Sequence, residues 1–135
     1  EQGDAARAKD SHHNALRIAQ QLGDRRSEAL WHGNLGEAHG LLGDLVEATT
    51  YHEQALAIYQ EVGDRRNEGV HLANLGLLAR DQGDPERAQQ VWGDALQAFE
   101  ALKDPTASQV WHWLADLDPA DAPAEEQSLR QKEPA

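Results

Sequence analysis

The sequence predicts an all-α chain of about six helices, folded as a succession of antiparallel helical hairpins. Three observations carry this reading. First, Gly-Asp recurs at Gly3-Asp4, Gly23-Asp24, Gly43-Asp44, Gly63-Asp64 and Gly83-Asp84, always 20 residues apart. Second, a stronger match lies at an offset of 40: Gly23-Asp24-Arg25-Arg26 returns as Gly63-Asp64-Arg65-Arg66, and Asn34-Leu35-Gly36 as Asn74-Leu75-Gly76. Third, apolar residues follow the helical period, and no segment alternates with the period of a strand. A fixed period of this length is the mark of a repeat architecture, here made of two unlike halves.

The elements follow in order at about 5–22, 25–42, 45–62, 65–82, 85–102 and 105–117. In the second, Trp31, Leu35, Ala38 and Leu42 form one stripe. The third carries Ala48, Tyr51, Ala55, Leu56, Ile58, Tyr59 and Val62 with the same period. Gly suits the left-handed position just past a helix end, and Asp accepts from the free N–H groups that begin the next. On this grammar Asp4, Asp24, Asp44, Asp64, Asp84 and Asp104 are caps. Asp44 and Glu47 have capping-box spacing, and Pro85 and Pro105 stand at first helical positions. Loops this short require neighbouring helices to pack antiparallel. The pattern divides the chain into a helical array over 1–117 and an acidic Pro/Ala-rich tail over 118–135, disordered or weakly helical.

Composition removes several function classes. The chain has 135 residues, 24 acidic against 12 basic, for a formal net charge of -12. So acidic a surface is unsuited to phosphate backbones, which argues against nucleic acid as a partner. No apolar run is long enough to span a membrane, and no export signal stands out, so the expected location is cytoplasmic. Without Cys there is no disulfide, thiolate site or cysteine nucleophile.

At Asn34-Leu35-Gly36, Ala48 and Ala55, and again at Asn74-Leu75-Gly76, Ala88 and Ala95, the sequence resembles the tetratricopeptide repeat (TPR) family. Its 40-residue period exceeds the common repeat of about 34. It is similar to the long-repeat subclass found in spindle-orientation adaptors and bacterial signalling regulators. The resemblance implies a right-handed superhelix, with a half repeat at 3–22, full repeats at 23–62 and 63–102, and a half repeat at 103–117. The opening helix matches only the second helix of a repeat, and the expectation is a piece of a longer array. Asp116 departs from the pattern, standing where Gly36 and Gly76 do.

The candidate chemistry is sparse. His12, His52 and Trp92 are 40 residues apart on successive second helices, and His71 shares a series with Trp31 and Trp111. All read as ring-bearing packing residues. Equivalent positions in stacked repeats are about 10 Å apart, too far to share one ion, so neither metal nor cofactor is expected. No GxSxG or phosphate-binding glycine loop exists, and the chain reads as no enzyme. The Arg25-Arg26 and Arg65-Arg66 pairs could offer a basic edge to an acidic peptide, but ion pairs to neighbours such as Glu28 and Glu68 are the favoured reading.

The groove is the better candidate. In the family the first helices line a concave face, and Asn34 and Asn74 occupy a position that contacts a bound peptide's backbone. An amide offers both a donor and an acceptor for that task. Glu37, Gly33, Gly40, Leu41, Ala73, Leu77, Arg80 and Trp113 are expected on the same face, with the small residues leaving room and Leu77 and Trp113 anchoring apolar groups. The competing reading has both amides bonded to neighbouring helices. The expected function is therefore a non-catalytic module that binds a peptide or protein partner in the groove. The alternatives are a scaffold that self-associates through its unpaired end helices and a ligand-sensing segment of a larger regulator.

Overall fold

A computed structural model describes residues 2–117, so the predicted tail at 118–135 lies outside the described residues. Six helices follow one another: α1 (Gln2–Leu22), α2 (Arg25–Leu41), α3 (Leu45–Val62), α4 (Arg65–Asp81), α5 (Pro85–Ala101) and α6 (Thr106–Leu117). Each packs chiefly against its sequence neighbours, α2 with α3 and α4 with α5 most extensively, which gives an all-α superhelical stack.

The Gly-Asp linker works from both sides. Gly23, Gly43, Gly63 and Gly83 have φ of 68, 83, 76 and 81°, the left-handed conformation that ends a helix. The following Asp then donates its N–H back to the ending helix: Asp24 to the Ala19 carbonyl at 3.0 Å, Asp64 to Tyr59 at 2.9 Å and Asp84 to Ala79 at 2.8 Å. Its side chain opens the next helix. The carboxylates of Asp24, Asp64 and Asp84 each accept from a backbone N–H three residues on, at Ser27, Asn67 and Arg87, all at 3.1 Å. One residue thus satisfies groups at two helix ends, which is why two or three residues suffice as a connection between most neighbours.

The caps predicted at Asp4 and Asp44 are corrected. Helix α1 already includes Gln2, so Asp4 sits within the first turn, where its charge complements the helix dipole but caps nothing. Asp44 makes no side-chain capping bond, so the capping box with Glu47 does not form. Its Oδ2 lies 3.4 Å from His39 Nδ1 instead. The last linker lacks the glycine altogether, and Lys103 adopts φ 54° in its place. A left-handed conformation strains any side chain with a Cβ, so Lys103→Gly should stabilise the protein by about 1 kcal/mol, read as a higher denaturant midpoint.

Close crossings of paired helices explain the interior glycines. A Cβ on Gly36 would lie 2.7 Å from the His52 ring, and one on Gly76 only 2.0 Å from Trp92 Nε1. His52 and Trp92 therefore fill the same slot in successive repeats, as their spacing predicted. Trp92 is wholly buried, and its indole N–H donates to the Ala73 carbonyl at 3.0 Å. The apolar interior falls into two clusters. The larger joins α4, α5 and α6 through Leu72, Leu75, Val91, Trp92, Phe99 and Val110. The smaller joins α2 and α3 through Ala29, Ala55, Ile58 and Tyr59.

Candidate interaction face

The core stripe of α2 runs through Trp31, Leu35, Ala38 and Leu42. One residue earlier at each step lies a second stripe, Leu30, Asn34, Glu37 and Leu41, turned away from the helix contacts. A stripe facing water would ordinarily be polar, yet Leu30 is 48 % and Leu41 78 % exposed. On α4 the equivalent stripe is Val70, Asn74, Leu77 and Asp81, with all but Asp81 half-buried; α6 continues it with half-buried Leu114 and Leu117. Three successive first helices thus present aligned apolar positions around two asparagines.

Both asparagine side chains are half-buried, and among the described residues neither makes a hydrogen bond to another protein group. The alternative of amides bonded across to a neighbouring helix is therefore not what the fold adopts. Glu37 is exposed on this face. Arg80 Nε and Nη2 both approach Asp81 Oδ1 at 3.3 Å, so its charge is partly compensated. Leu77 packs against the large cluster while keeping part of its surface open. Trp113 is also half-buried, with its ring stacked on Trp92 at 5.5 Å between centroids. Two small residues do not leave the room expected of them. The space beside Gly33 holds the His71 ring, 2.7 Å from where a Cβ would stand, and Ala73 is buried at 6 % exposure. Gly40 alone of the three opens onto free space. Leu30 and Val70 escaped the sequence reading; their signal was the same helical spacing displaced by one residue from the core stripe.

The arginine pairs are engaged in ion pairs. Arg25 bonds Glu28 and Glu61, each at 2.9 Å, and Arg65 bonds Glu68 at 2.9 Å. Arg26 reaches Asp64 of the next repeat at 3.2 Å, and Arg66 reaches Asp104 at the same distance. The capping aspartates thus double as links between successive first helices. Their carboxyls lie below the usual range, Asp64 first because Asn67 bonds it and Asp104 first because Thr106 does. These pairs are largely exposed, so each contributes little alone.

The histidines divide by environment. His52 and His71 are buried, with Nδ1 atoms 3.0 Å apart, and the Tyr59 ring stacks on His71 at 5.3 Å. Burial pushes both down to about 4, with the neighbouring imidazole a second cause for His52. His32 is also lowered, chiefly by burial and against the pull of Glu28. His12 is only half-buried, its ring 5.4 Å from Trp31. Among the described residues no three His, Asp or Glu side chains converge as metal ligands would.

The repeated hairpins, their glycine crossings and the alignment of first helices find a match in a known family. The Tetratricopeptide repeat family model fits residues 1–61 and again residues 27–101. The chain belongs to the tetratricopeptide repeat family. TPR repeats generally mediate protein–protein interaction, and the family is generally non-catalytic. Among solved structures, the chain resembles BtubC (BKLC) from P. vanneervenii with a TM-score of 0.79 and 24 % sequence identity. The alignment covers 87 % of this chain and 49 % of that one, so this TPR chain spans about half the length of its structural neighbour. That likeness speaks to the fold alone. A search of curated proteins gave no match. No helix among the described residues is long and apolar enough to cross a membrane.

Proposed function

We propose that the chain is a non-catalytic interaction module that receives an extended peptide, or an extended segment of a partner protein, along its first-helix stripes. The observation that carries this is the pair of half-buried asparagine amides, 40 residues apart and without protein partners among the described residues. A half-buried amide without a partner forgoes hydrogen-bonding capacity that a ligand backbone can supply. Leu30, Leu41 and Leu77 supply apolar contact beside the two amides, with Trp113 at the far end. Glu37 is the exposed charge within the α2 stripe and favours a basic or neutral side chain opposite it. The 40-residue period supports membership of the long-repeat subclass.

The test is the double substitution Asn34→Ala and Asn74→Ala, measured against a partner isolated with the unaltered chain. Loss of two backbone-directed hydrogen bonds should weaken binding on the order of 10-fold to 100-fold while helicity by circular dichroism stays the same. Unchanged affinity would remove the groove from consideration.

A further inference from the structure

One space is filled in the first full repeat and open in the second. Where α3 and α5 run alongside each other over α4, they enclose a cleft of about 290 Å³. Each of these helices lies between two described ones in the stack. The floor is Leu72 and Leu75 of α4, both buried, with Leu56 and Val91 on the walls. One end carries Glu53 and Arg87, paired at 3.6 Å, and the other carries Gln60 and Asp94. Helical spacing aligns them: Glu53, Leu56 and Gln60 share a face of α3, as Arg87, Val91 and Asp94 share one of α5. Forty residues earlier, α1, α2 and α3 form the equivalent space, and a ring fills it. Val91 corresponds to Tyr51, whose ring lies 6.0 Å from the His13 and His32 rings and 5.2 Å from that of His39. Those three histidines correspond to Glu53, Leu72 and Ala79. In the second repeat a short branched side chain stands where the ring would be, and the space is left open.

We propose that this cleft binds a small aromatic amine, with its ring on the floor of Leu72 and Leu75 and its ammonium group at Asp94. The ring follows from Tyr51, which occupies the equivalent space between the same kinds of helices. The amine follows from charge. Arg87 is already paired with Glu53, whereas Asp94 makes no hydrogen bond or ion pair among the described residues, so the cleft carries one carboxylate in excess. A net charge of -12 adds attraction for a cation and opposes an anion. Arg87 and Asp94 are seven residues apart on α5, about 10 Å along the helix, which suits a ring and a short carbon arm laid between them. The Gln60 amide oxygen, at the same end as Asp94, can accept from the same ammonium. An apolar floor with a few polar groups to fix orientation is the usual composition of a small-ligand site.

Tyramine is the probe, titrated into the isotope-labelled chain and followed through its backbone amide resonances. Saturable shifts are expected at Gln60, Val91 and Asp94. Hydroxyphenylpropionate, which carries a carboxylate in place of the amine, and butylamine, which lacks the ring, should each shift them little. Asp94→Asn should weaken tyramine binding about fivefold, the upper range for an exposed ion pair. Val91→Tyr supplies a ring from within, as Tyr51 does, and should abolish binding. Helicity is checked for both variants; Asp94 is exposed, so its substitution tests the proposal even where the larger side chain disturbs packing. Three results would overturn the proposal: no saturable shift at millimolar tyramine, equal binding of the carboxylate analogue, or tyramine binding unchanged by Asp94→Asn. The cleft shares no residue with the asparagine stripe, so Asn34→Ala with Asn74→Ala should leave tyramine binding as it is, and either reading can fail alone.

Discussion

Gly76→Ala is expected to cost about 3 kcal/mol or more, whereas Gly40→Ala, in the preceding first helix, is expected to be neutral or stabilising. The two changes add the same methyl group and the same gain in helix propensity. They differ in what the methyl meets. At Gly76 it would stand 2.0 Å from Trp92 Nε1, in the wholly buried ring that crosses α4; at Gly40 nothing lies within 4 Å. Trp92 has little freedom to retreat. Its indole N–H is bonded to the Ala73 carbonyl at 3.0 Å, and its ring is stacked on Trp113. Accommodating the methyl therefore means separating α4 from α5, or breaking that bond and leaving a buried donor unpaired. Chemical denaturation of the two variants beside the unaltered chain is the check. Equal midpoints for both would show that the crossing is looser than described.

Lowering the pH from above 6.5 to 4 is expected to remove stability on the order of 3 kcal/mol for each of His52 and His71. Both imidazoles are held down to about 4 by burial, against an ordinary value of 6.5. In that interval the unfolded chain takes up protons that the folded chain refuses. The contribution of the pair is complete above 6.5, declines through the interval, and is gone below about 4. The geometry agrees with the direction. One Nδ1–H donates to the other Nδ1 across 3.0 Å, and a second proton would set two donors against each other between α3 and α4. The charged groups of the capping aspartates act in a separate, lower range, because Asp24, Asp64 and Asp104 are each lowered from 3.8. Denaturant midpoints across this range should fall for the unaltered chain and fall much less for His52→Phe with His71→Phe, where only the lowered His32 remains, whatever the absolute stability of that variant.

Much of the fold was legible because its punctuation is local. A helix ends where Gly23 or Gly63 turns left-handed and begins where Asp24 or Asp64 accepts from the residue three ahead, and both events involve only near neighbours in the chain. The exceptions are local failures of the same grammar. Asp44 has a histidine within reach, and at Lys103 a lysine carries the strain that a glycine would avoid. The candidate face was half legible. Asn34 and Asn74 stood out through the repeat, but Leu30 and Val70 were hidden by adjacency to the core stripe, and Gly33 and Ala73 were credited with space that packing occupies.

Sequence alone determined the helix positions, the short linkers, the 40-residue period and the equivalence of His52 with Trp92. Each depends on short-range bonding or on a repeat that aligns the chain with itself. Tertiary structure decided which groups meet across repeats: His52 with His71, Arg26 with Asp64, and Arg66 with Asp104. It also decided which groups meet nothing, leaving the two asparagine amides unpaired among the described residues. These outcomes depend on the angle and distance at which one hairpin rests on the next. That stacking comes from the joint packing of side chains 19 to 38 residues apart, which no local spacing encodes.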